Sequence, residues 1–163
     1  MQATREFAFR PIGVLRSDFK EPAGTPIQGA YAPETEGSAE VFEEFADGLD
    51  DLEGFTHIYV IYVFDRSDGF RLKLKPFRDD TERGVFATRA PRRPNQIGLS
   101  VVRLLGREGN VLRLAEVDFL DGSPLLDIKP YVPTFDHRDD VRSGWLEDSE
   151  DRTRADGRFH AER

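Results

Sequence analysis

The 163-residue sequence predicts a single domain that is mainly β. Ile58 to Phe64 is an unbroken apolar run, rich in β-branched and aromatic residues and too short for a typical helix. Ile97 to Leu105 and Val111 to Leu120 are two further β-rich runs, joined by a glycine-containing segment that suits a hairpin. The sequence contains neither G-x-G-x-x-G nor G-x-x-x-x-G-K-[ST], so neither a Rossmann fold nor a P-loop is indicated.

The first third of the chain is predicted to hold shorter elements. Phe7 to Arg16 is predicted as a strand that is bent or lies at a sheet edge, because a proline and a glycine interrupt it. Glu21 to Gly37 contains three prolines and three glycines, which predicts a long loop of the kind that often carries function. Ser38 to Phe45 is predicted as a short strand, and Ala46 to Gly54 as an acidic turn or a single helical turn.

Phe70 to Pro76 alternates apolar and basic residues, which predicts a half-exposed strand with Arg71, Lys73 and Lys75 on one face. Near the C-terminus, Val141 to Leu146 is expected to pack as one short element through Trp145. We therefore place the domain at residues 1–147 and expect residues 148–163 to form a charged, flexible tail.

The net charge is -8, which argues against a general nucleic-acid binder. The charge is unevenly distributed, however. Residues 1–65 hold 4 basic and 13 acidic side chains, residues 66–113 hold 12 and 5, and residues 114–163 hold 7 and 13. Two interpretations stay open: the charges simply solvate the surface, or the basic middle forms an anion site centred on Ala87 to Ser100.

Several classes of chemistry are disfavoured. The chain has no cysteine, and His57, His137 and His160 lack metal-ligand spacing, so we expect no disulfide and no metal. The first fifteen residues lack the apolar core of a signal peptide, and no segment approaches the ~20 apolar residues that span a bilayer. We therefore expect a soluble, cytoplasmic protein with no membrane partner.

Polar segments next to the apolar runs are the best candidates for a site. Loops at strand ends can converge on a pocket. The segments are Pro26 to Gly29, Asp65 to Ser67, Ala87 to Ser100, and Asp121 to Pro124 together with the polar stretch Asp127 to Tyr131. Ser100 lies outside a G-x-S-x-G elbow, so we interpret it as a hydroxyl at a strand end rather than a nucleophile.

Two strings carry a family resemblance: GVFATRAPRRPNQIGLSVVRL, from Gly84 to Leu104, and VDFLDGSPLLDIKPYVP, from Val117 to Pro133. With shorter matches in the same order, they closely resemble the TsaA-like, or TrmO, family of S-adenosylmethionine-dependent tRNA methyltransferases over roughly residues 7–147. The resemblance implies a single β-barrel domain with long loops and a few short helices, unlike the doubly wound methyltransferase fold. It also implies a homodimer with cofactor sites near the subunit interface.

The resemblance further implies which residues hold S-adenosylmethionine. They are Pro26, Ile27, Gln28, Gly29, Asp65, Arg66, Arg89, Leu99, Asp121, Gly122, Ser123 and Pro124. Their chemistry fits this ligand, because carboxylates can accept from its hydroxyls or ammonium and an arginine can pair with its carboxylate. Glycines would let the backbone approach the ligand closely.

The reaction implied by the resemblance is methylation of N6 of N6-threonylcarbamoyladenosine at position 37, beside the anticodon of tRNA. The catalytic candidates are Asp127, Lys129 and Tyr131. The proton acceptor stays open among Asp127, Tyr131 and bulk water, while Lys129 would stabilise negative charge on the substrate or contact its threonyl carboxylate. Candidates for contact with tRNA phosphates are Arg71, Lys73, Lys75, Arg92 and Arg93.

Two alternatives to this function remain. The chain could methylate another adenine-containing or small substrate, or it could bind S-adenosylmethionine without catalysis. A binding module would keep its cofactor affinity after loss of Lys129 and Tyr131 and would show no turnover.

Overall fold

The computed structural model describes residues 5–149, which are built around a closed antiparallel barrel. Within this part of the chain the strands are β1 (Gly13–Ser17), β2 (Glu36–Val41), β3 (His57–Val63), β4 (Lys73–Leu74), β5 (Arg83–Gly84), β6 (Ile97–Glu108), β7 (Val111–Ala115) and β8 (Pro124–Pro130). Six of them pair in the order β1-β2-β7-β6-β3-β8, and β4 and β5 form a separate two-stranded ribbon. Pairing of β1 with β8, through Gly13↔Leu125 and Val14↔Pro124, closes the barrel. The predicted mainly β barrel is confirmed.

The barrel interior is filled by alternate residues of each strand. In β3, Ile58, Val60 and Tyr62 are buried, while Tyr59 and Ile61 are only partly buried because they face outward. The strand predicted at Ile58 to Phe64 is therefore present, although only its inward half is fully buried. The other fully buried large side chains of the interior are Leu15, Val41, Val102, Leu112, Leu114, Val117, Phe119 and Leu125.

The predicted hairpin is formed by β6 and β7. Their register runs from Arg103↔Ala115 to Glu108↔Val111, and Gly109 takes a positive φ of 60° in the turn. At its other end β6 begins at Ile97. The arginine-rich segment Ala87 to Gln96, which we call the cationic stretch, therefore leads directly into the barrel. This hairpin turn and the first residues of β6 lie at opposite ends of the barrel.

Several segments differ from the prediction. Two differ only in their bounds, since β2 spans Glu36–Val41 rather than Ser38 to Phe45 and β7 ends at Ala115 rather than Leu120. The N-terminal strand starts at Gly13 rather than Phe7, because Pro11 has no N–H to donate and β1 pairs with β2 only from Gly13 onward. The strand predicted over Phe70 to Pro76 is reduced to Lys73–Leu74, since its partner β5 offers only two residues. Most of the polar stretch Asp127 to Tyr131 belongs to β8, where a register shift opposite Ile61 and Tyr62 breaks the apolar alternation.

The remaining elements are short. The acidic segment before β3 forms 3-10 helices at Glu43–Leu49 and Leu52–Gly54, and another lies in the long loop at Gly29–Tyr31. Helix α1 (Pro133–Asp136) follows β8, and the 3-10 helix Gly144–Asp148 carries Trp145, as expected of that segment. Apart from its first two residues, the predicted tail at 148–163 lies outside the described residues.

Candidate active site

A cavity of about 290 Å³ opens at the end of the barrel where β3 stops and β6 starts. Five parts of the chain line it: the long loop between β1 and β2, the end of β3 with the residues after it, Phe77 between β4 and β5, the cationic stretch with the start of β6, and the connection from β7 to β8. These parts are far apart in sequence, and barrel closure brings them together. The volume is close to the lower limit of about 300 Å³ for ligand pockets.

Most of the residues assigned to the cofactor by the resemblance surround this cavity. The lining includes Pro26, Ile27, Gln28, Asp65, Arg66, Arg89, Leu99 and Ser123. The other four, Gly29, Asp121, Gly122 and Pro124, each lie next to a lining residue in the chain. Their roles in binding a cofactor stay predictions.

A hydrogen-bonded chain of three side chains lies at the floor of the cavity. Ser100 Oγ donates to Asp118 Oδ1 at 2.5 Å, and Tyr62 OH lies 3.1 Å from Ser100 Oγ. Because the single hydroxyl hydrogen of Ser100 is used by Asp118, Tyr62 must be the donor to Ser100. Burial raises the pKa of Asp118 to about 6, although the hydrogen bond from Ser100 opposes the shift. Burial likewise raises the pKa of Tyr62.

The second carboxylate oxygen of Asp118 holds the long loop against the barrel. The backbone N–H of Gly29 donates to Asp118 Oδ2 at 3.1 Å. A Cβ added at Gly29 would lie 1.8 Å from the carbonyl oxygen of Glu116, so any other residue would push the loop away. The Thr35 hydroxyl adds a bond to the carbonyl of Val117 at 2.9 Å. The loop that carries Pro26 to Gly29 is therefore fixed by the segment between β7 and β8.

Side-chain pairs shape the rest of the cavity wall. Arg89 donates to Gln28 Oε1 at 2.7 Å, which joins the cationic stretch to the long loop. Arg66 donates to Ser123 Oγ at 3.3 Å and pairs with Asp65 at 3.2 Å. Charged and polar side chains thus share the wall with apolar ones such as Ile27 and Leu99, a combination suited to a ligand with both charged and apolar parts.

Asp121 supports the turn between β7 and β8. Its carboxylate accepts from Lys20 Nζ at 2.6 Å and from the N–H of Ser17 at 3.2 Å. The hydrogen bond from Lys20 lowers the pKa of Asp121, so this carboxylate is charged at neutral pH. Gly122 takes a φ of +83° in the same turn, and Pro124 begins β8.

The arginines of the cationic stretch have different surroundings. Arg93 donates to the carbonyls of Thr88 and Ala90, both at 3.0 Å, and so fixes the stretch itself. The Nε of Arg92 is buried and has no hydrogen-bond partner among the described residues. Arg71, Lys73 and Lys75 are exposed, which leaves them accessible to a polyanion.

The catalytic candidates lie elsewhere on the barrel. Asp127 and Lys129 pair with each other at 3.1 Å and sit on β8, opposite the outward-facing residues of β3. The Tyr131 ring lies 5.7 Å from that of Tyr59. None of the three is among the described residues that line the cavity, so the fold does not bring them together with the cofactor candidates within one chain.

Sequence reasoning missed the roles of Tyr62, Ser100 and Asp118. One signal for Asp118 is present, because it is a single carboxylate between Val117 and Phe119, which are both fully buried. Ser100 is the fourth residue of β6 rather than a residue at the strand end, and its hydroxyl is buried and bonded to Asp118.

In the part of the chain that the structure describes, no group of three or more His, Cys, Asp or Glu side chains could hold a metal ion. No helix among those residues is long and apolar enough to span a bilayer.

The fold and the cavity together define a class of protein: a closed six-stranded barrel with a loop-lined cavity at one end and no glycine-rich phosphate motif. Residues 14–137 match the family described as the tRNA-methyltransferase O N-terminal domain. The chain belongs to this family, as the resemblance predicted.

Individual relatives agree with this membership. A probable S-adenosyl-L-methionine-binding protein of Pyrococcus abyssi is 55% identical over 154 residues, which cover 93% of this chain and 84% of the relative. The tRNA (adenine(37)-N6)-methyltransferase of Escherichia coli is 34% identical over 151 residues, covering 86% of this chain and 64% of the relative. The crystal structure of TrmO from Pseudomonas aeruginosa matches with a TM-score of 0.74 at 40% identity, covering 86% of this chain and 63% of that one. This chain therefore spans less than two thirds of the two bacterial proteins.

Proposed function

We propose that this chain binds S-adenosylmethionine in the cavity at the barrel end and transfers its methyl group to N6 of N6-threonylcarbamoyladenosine at position 37 of tRNA. The observation that carries the proposal is the gathering of eight candidate cofactor residues around one cavity in a member of this family. The names of the relatives support the cofactor and the tRNA adenine. The cytoplasm, where tRNA is available, is the compartment that this proposal requires.

The residues present fit the cofactor. Arg89 and Arg66 line the cavity and supply cations for the carboxylate of the methionyl group, while Asp65 can accept from its ammonium or from ribose hydroxyls. The apolar side chains of Ile27 and Leu99 suit the remainder of the ligand. When bound, S-adenosylmethionine supplies an electrophilic methyl group on a positively charged sulfur.

The reaction would be a displacement in which N6 supplies the electron pair of the new N6–CH₃ bond while the S–CH₃ bond breaks. N6 would lose its proton to a base, and the cofactor would leave as a neutral thioether. Positioning the two reactants can contribute several kcal/mol, about 7 to 11 in well-oriented cases, without a covalent intermediate on the protein. The base stays open among Asp127, Tyr131 and water, with Lys129 beside Asp127 to stabilise negative charge.

Contact with tRNA phosphates is assigned first to Arg71, Lys73 and Lys75, because all three are exposed. Arg92 and Arg93 complete the predicted set. The hydrogen bonds of Arg93 to its own loop support a second role for that residue in fixing the stretch.

A homodimer would explain the position of the catalytic candidates. Ile97, Leu99 and Val101 are 43%, 44% and 36% exposed along the outer face of β6. They form an apolar strip that a second subunit would cover, and β3 separates this strip from Asp127 and Lys129 on β8. A Val101→Lys variant is expected to become monomeric in analytical ultracentrifugation and to keep its fold; an unchanged oligomeric state would remove this strip from the interface.

The experiment that tests the reaction is mass spectrometry of nucleosides from threonylcarbamoylated tRNA incubated with the protein and S-adenosylmethionine. The expected product is 14 Da heavier than N6-threonylcarbamoyladenosine, as one added CH₂ unit requires. Methylation of unmodified adenosine instead would identify another adenine substrate. Cofactor binding without any methylated product would assign the chain to the non-catalytic binding modules.

A further inference from the structure

A second cavity, of about 420 Å³, lies next to the first and plays no part in the proposal above. The two cavities share four lining residues, Ile27, Gln28, Phe77 and Arg89. The hydrogen bond from Arg89 to Gln28 is part of this common wall. A group bound in the second cavity would therefore be separated from one bound in the first by a single layer of side chains.

Aromatic side chains dominate the second cavity. Its lining includes Phe77, Tyr31, Phe86 and Trp145, of which Tyr31 is 39% and Phe86 76% exposed. Part of the surrounding cluster is ordinary packing, because Phe77 contacts the buried Leu74, Val85 and Ala90. Packing does not account for Phe86, whose ring is left largely in solvent at the cavity mouth.

The aromatic walls are held in place. Trp145 Nε1 donates to the carbonyl of Ala87 at 2.8 Å, which docks the C-terminal 3-10 helix on the turn before Arg89. The guanidinium of Arg83 lies 5.5 Å from the centre of the Trp145 ring, and that of Arg78 lies 5.6 Å from the centre of the Tyr31 ring. Arg78 also donates to the Tyr31 hydroxyl.

Proteins commonly bind unpaired nucleobases with aromatic rings flanked by arginines. The rings stack on the flat face of the base, and the arginines attract the neighbouring phosphate. The cavity lies largely within the segment 66–113, which holds 12 basic and 5 acidic side chains. The net positive charge of this segment is opposite in sign to that of the rest of the chain and complementary to the phosphates of an RNA backbone.

We propose that the second cavity, which we call the aromatic cavity (Tyr31, Phe77, Phe86 and Trp145), receives an unpaired adenine-type base of the RNA acceptor. This inference rests on the proposed function, since it places the cofactor in the first cavity. A base held in the aromatic cavity would lie next to the cofactor, at the wall that contains Gln28 and Arg89. An anticodon-loop base is already unpaired, so stacking it here costs less than extracting it from a duplex.

The chain offers a direct probe of this site, because Trp145 is its one tryptophan. We would titrate the full chain, without cofactor, with two RNA hairpins that mimic an anticodon stem-loop. One hairpin carries adenosine at the acceptor position, and the other carries an abasic ribose there. The adenosine hairpin is expected to quench the Trp145 fluorescence and to bind at least about fivefold more tightly than the abasic hairpin. This factor corresponds to the lower end of the affinity lost when a stacking contact between a base and an aromatic side chain is removed. Equal quenching and equal affinity for both hairpins would overturn the proposal.

A matched pair of variants separates the aromatic cavity from general effects on the protein. Phe86→Ala is expected to lower affinity for the adenosine hairpin to that of the abasic one. Phe42→Ala, which removes an exposed aromatic side chain beside the β6–β7 turn at the far end of the barrel, is expected to leave the affinity for the adenosine hairpin unchanged.

Calorimetry with S-adenosylmethionine should give the same affinity for Phe86→Ala as for the wild type. A weaker cofactor affinity would place the cofactor's own adenine in this cavity and overturn the proposal. Because the readouts need no turnover, a protein that binds the base but methylates nothing would contradict only the proposed reaction.

Discussion

The backbone N–H of Gly29 donates to the carboxylate of Asp118 across 89 residues of sequence. This bond ties the long loop between β1 and β2 to the connection between β7 and β8, and both line the proposed cofactor cavity. Gly29 also lies so close to Glu116 that no side chain fits between them. The shape of the cavity therefore depends on a contact that neither segment could make alone.

Replacing Gly29 with alanine is expected to weaken S-adenosylmethionine binding by at least about tenfold, or 1.4 kcal/mol. The added Cβ would meet the Glu116 carbonyl oxygen at 1.8 Å, so the loop must move away from Asp118. Isothermal titration calorimetry measures the loss. Gly48→Ala, where an added Cβ meets nothing within 4 Å, is the matched control. Equal affinities for the two variants would show that the loop position does not govern cofactor binding.

Asp118→Asn is expected to change how stability depends on pH. The folded-state pKa of about 6 exceeds the ordinary value of 3.8, so between these values the folded protein binds more protons than the unfolded chain. Wild-type stability from this group is therefore greatest at low pH and falls as pH rises towards 6. The stability of the Asp118→Asn variant does not fall in this way, because asparagine does not titrate. Its free energy of unfolding relative to wild type should therefore rise by up to about 3 kcal/mol between pH 3.8 and pH 6.

Urea unfolding at several pH values from about 3 to 7 measures this difference. Asp121→Asn provides a control of opposite sign, because the pKa of Asp121 is lowered by its hydrogen bond from Lys20. The stability that Asp121 contributes is present above its ordinary pKa of 3.8 and is lost as pH falls below it. If the free energies of unfolding of Asp118→Asn and wild type differ by the same amount at every pH, desolvation of this carboxylate is ruled out.

Arg89→Ala is expected to reduce S-adenosylmethionine affinity by about 10- to 100-fold, the range for losing a hydrogen bond to a charged group. Arg89 is placed on the wall of the cavity by its bond to Gln28. Arg113→Ala, on the exposed side of β7, removes the same charge away from the cavity and should bind the cofactor normally. Calorimetry on both variants decides the point, and an unaltered Arg89→Ala affinity would remove this residue from the cofactor site.

Gly98→Ala is expected to destabilise the fold by about 1 to 3 kcal/mol, as overpacking usually does. A Cβ at this position would lie 2.5 Å from the ring of Tyr62, whose hydroxyl bonds to Ser100. The same substitution at Gly106, in the same strand, meets nothing within 4 Å and should be nearly neutral. Thermal or urea unfolding compares them. Similar stabilities would mean that Tyr62 is free to move.

The double variant Lys73→Ala/Lys75→Ala is expected to weaken tRNA binding and to reduce its salt dependence. Each lost phosphate contact should lower the slope of log K against log salt by about 0.7 to 0.9. Both side chains are exposed on and beside β4, so the fold should not change. Binding titrations at several salt concentrations give the slope, with Arg113→Ala as the charge control. A slope that stays at the wild-type value would place the phosphates elsewhere.

Local sequence pattern predicted the elements that are continuous runs of strand-forming residues. The β6–β7 hairpin and strand β3 follow directly from runs of β-branched and aromatic residues. Strand β8 was missed as a strand, because Asp127 and Lys129 face outward and a register shift hides the alternation. Its partners β1 and β3 are distant in sequence, so no local signal announces the pairing.

The candidate site divides in the same way. The candidate cofactor residues came from the family resemblance, while residue chemistry alone indicated only an anion site. Asp118 was missed because its partners Ser100 and Gly29 are 18 and 89 residues away. A lone carboxylate next to the Asp121 turn has the sequence appearance of surface charge, and only the fold shows that it faces a cavity.

Closure of the barrel by β8 has a consequence for synthesis of the chain. The N-terminal strand β1 leaves the ribosome more than a hundred residues before its partner at Pro124 and Leu125 does. Until then β1 and β3 each keep one unpaired edge, the kind of surface on which nascent chains associate. The bonds of Asp118 and Asp121 to the N-terminal third must also wait for this late segment. The proposed cofactor cavity is thus complete only when most of the domain has been translated.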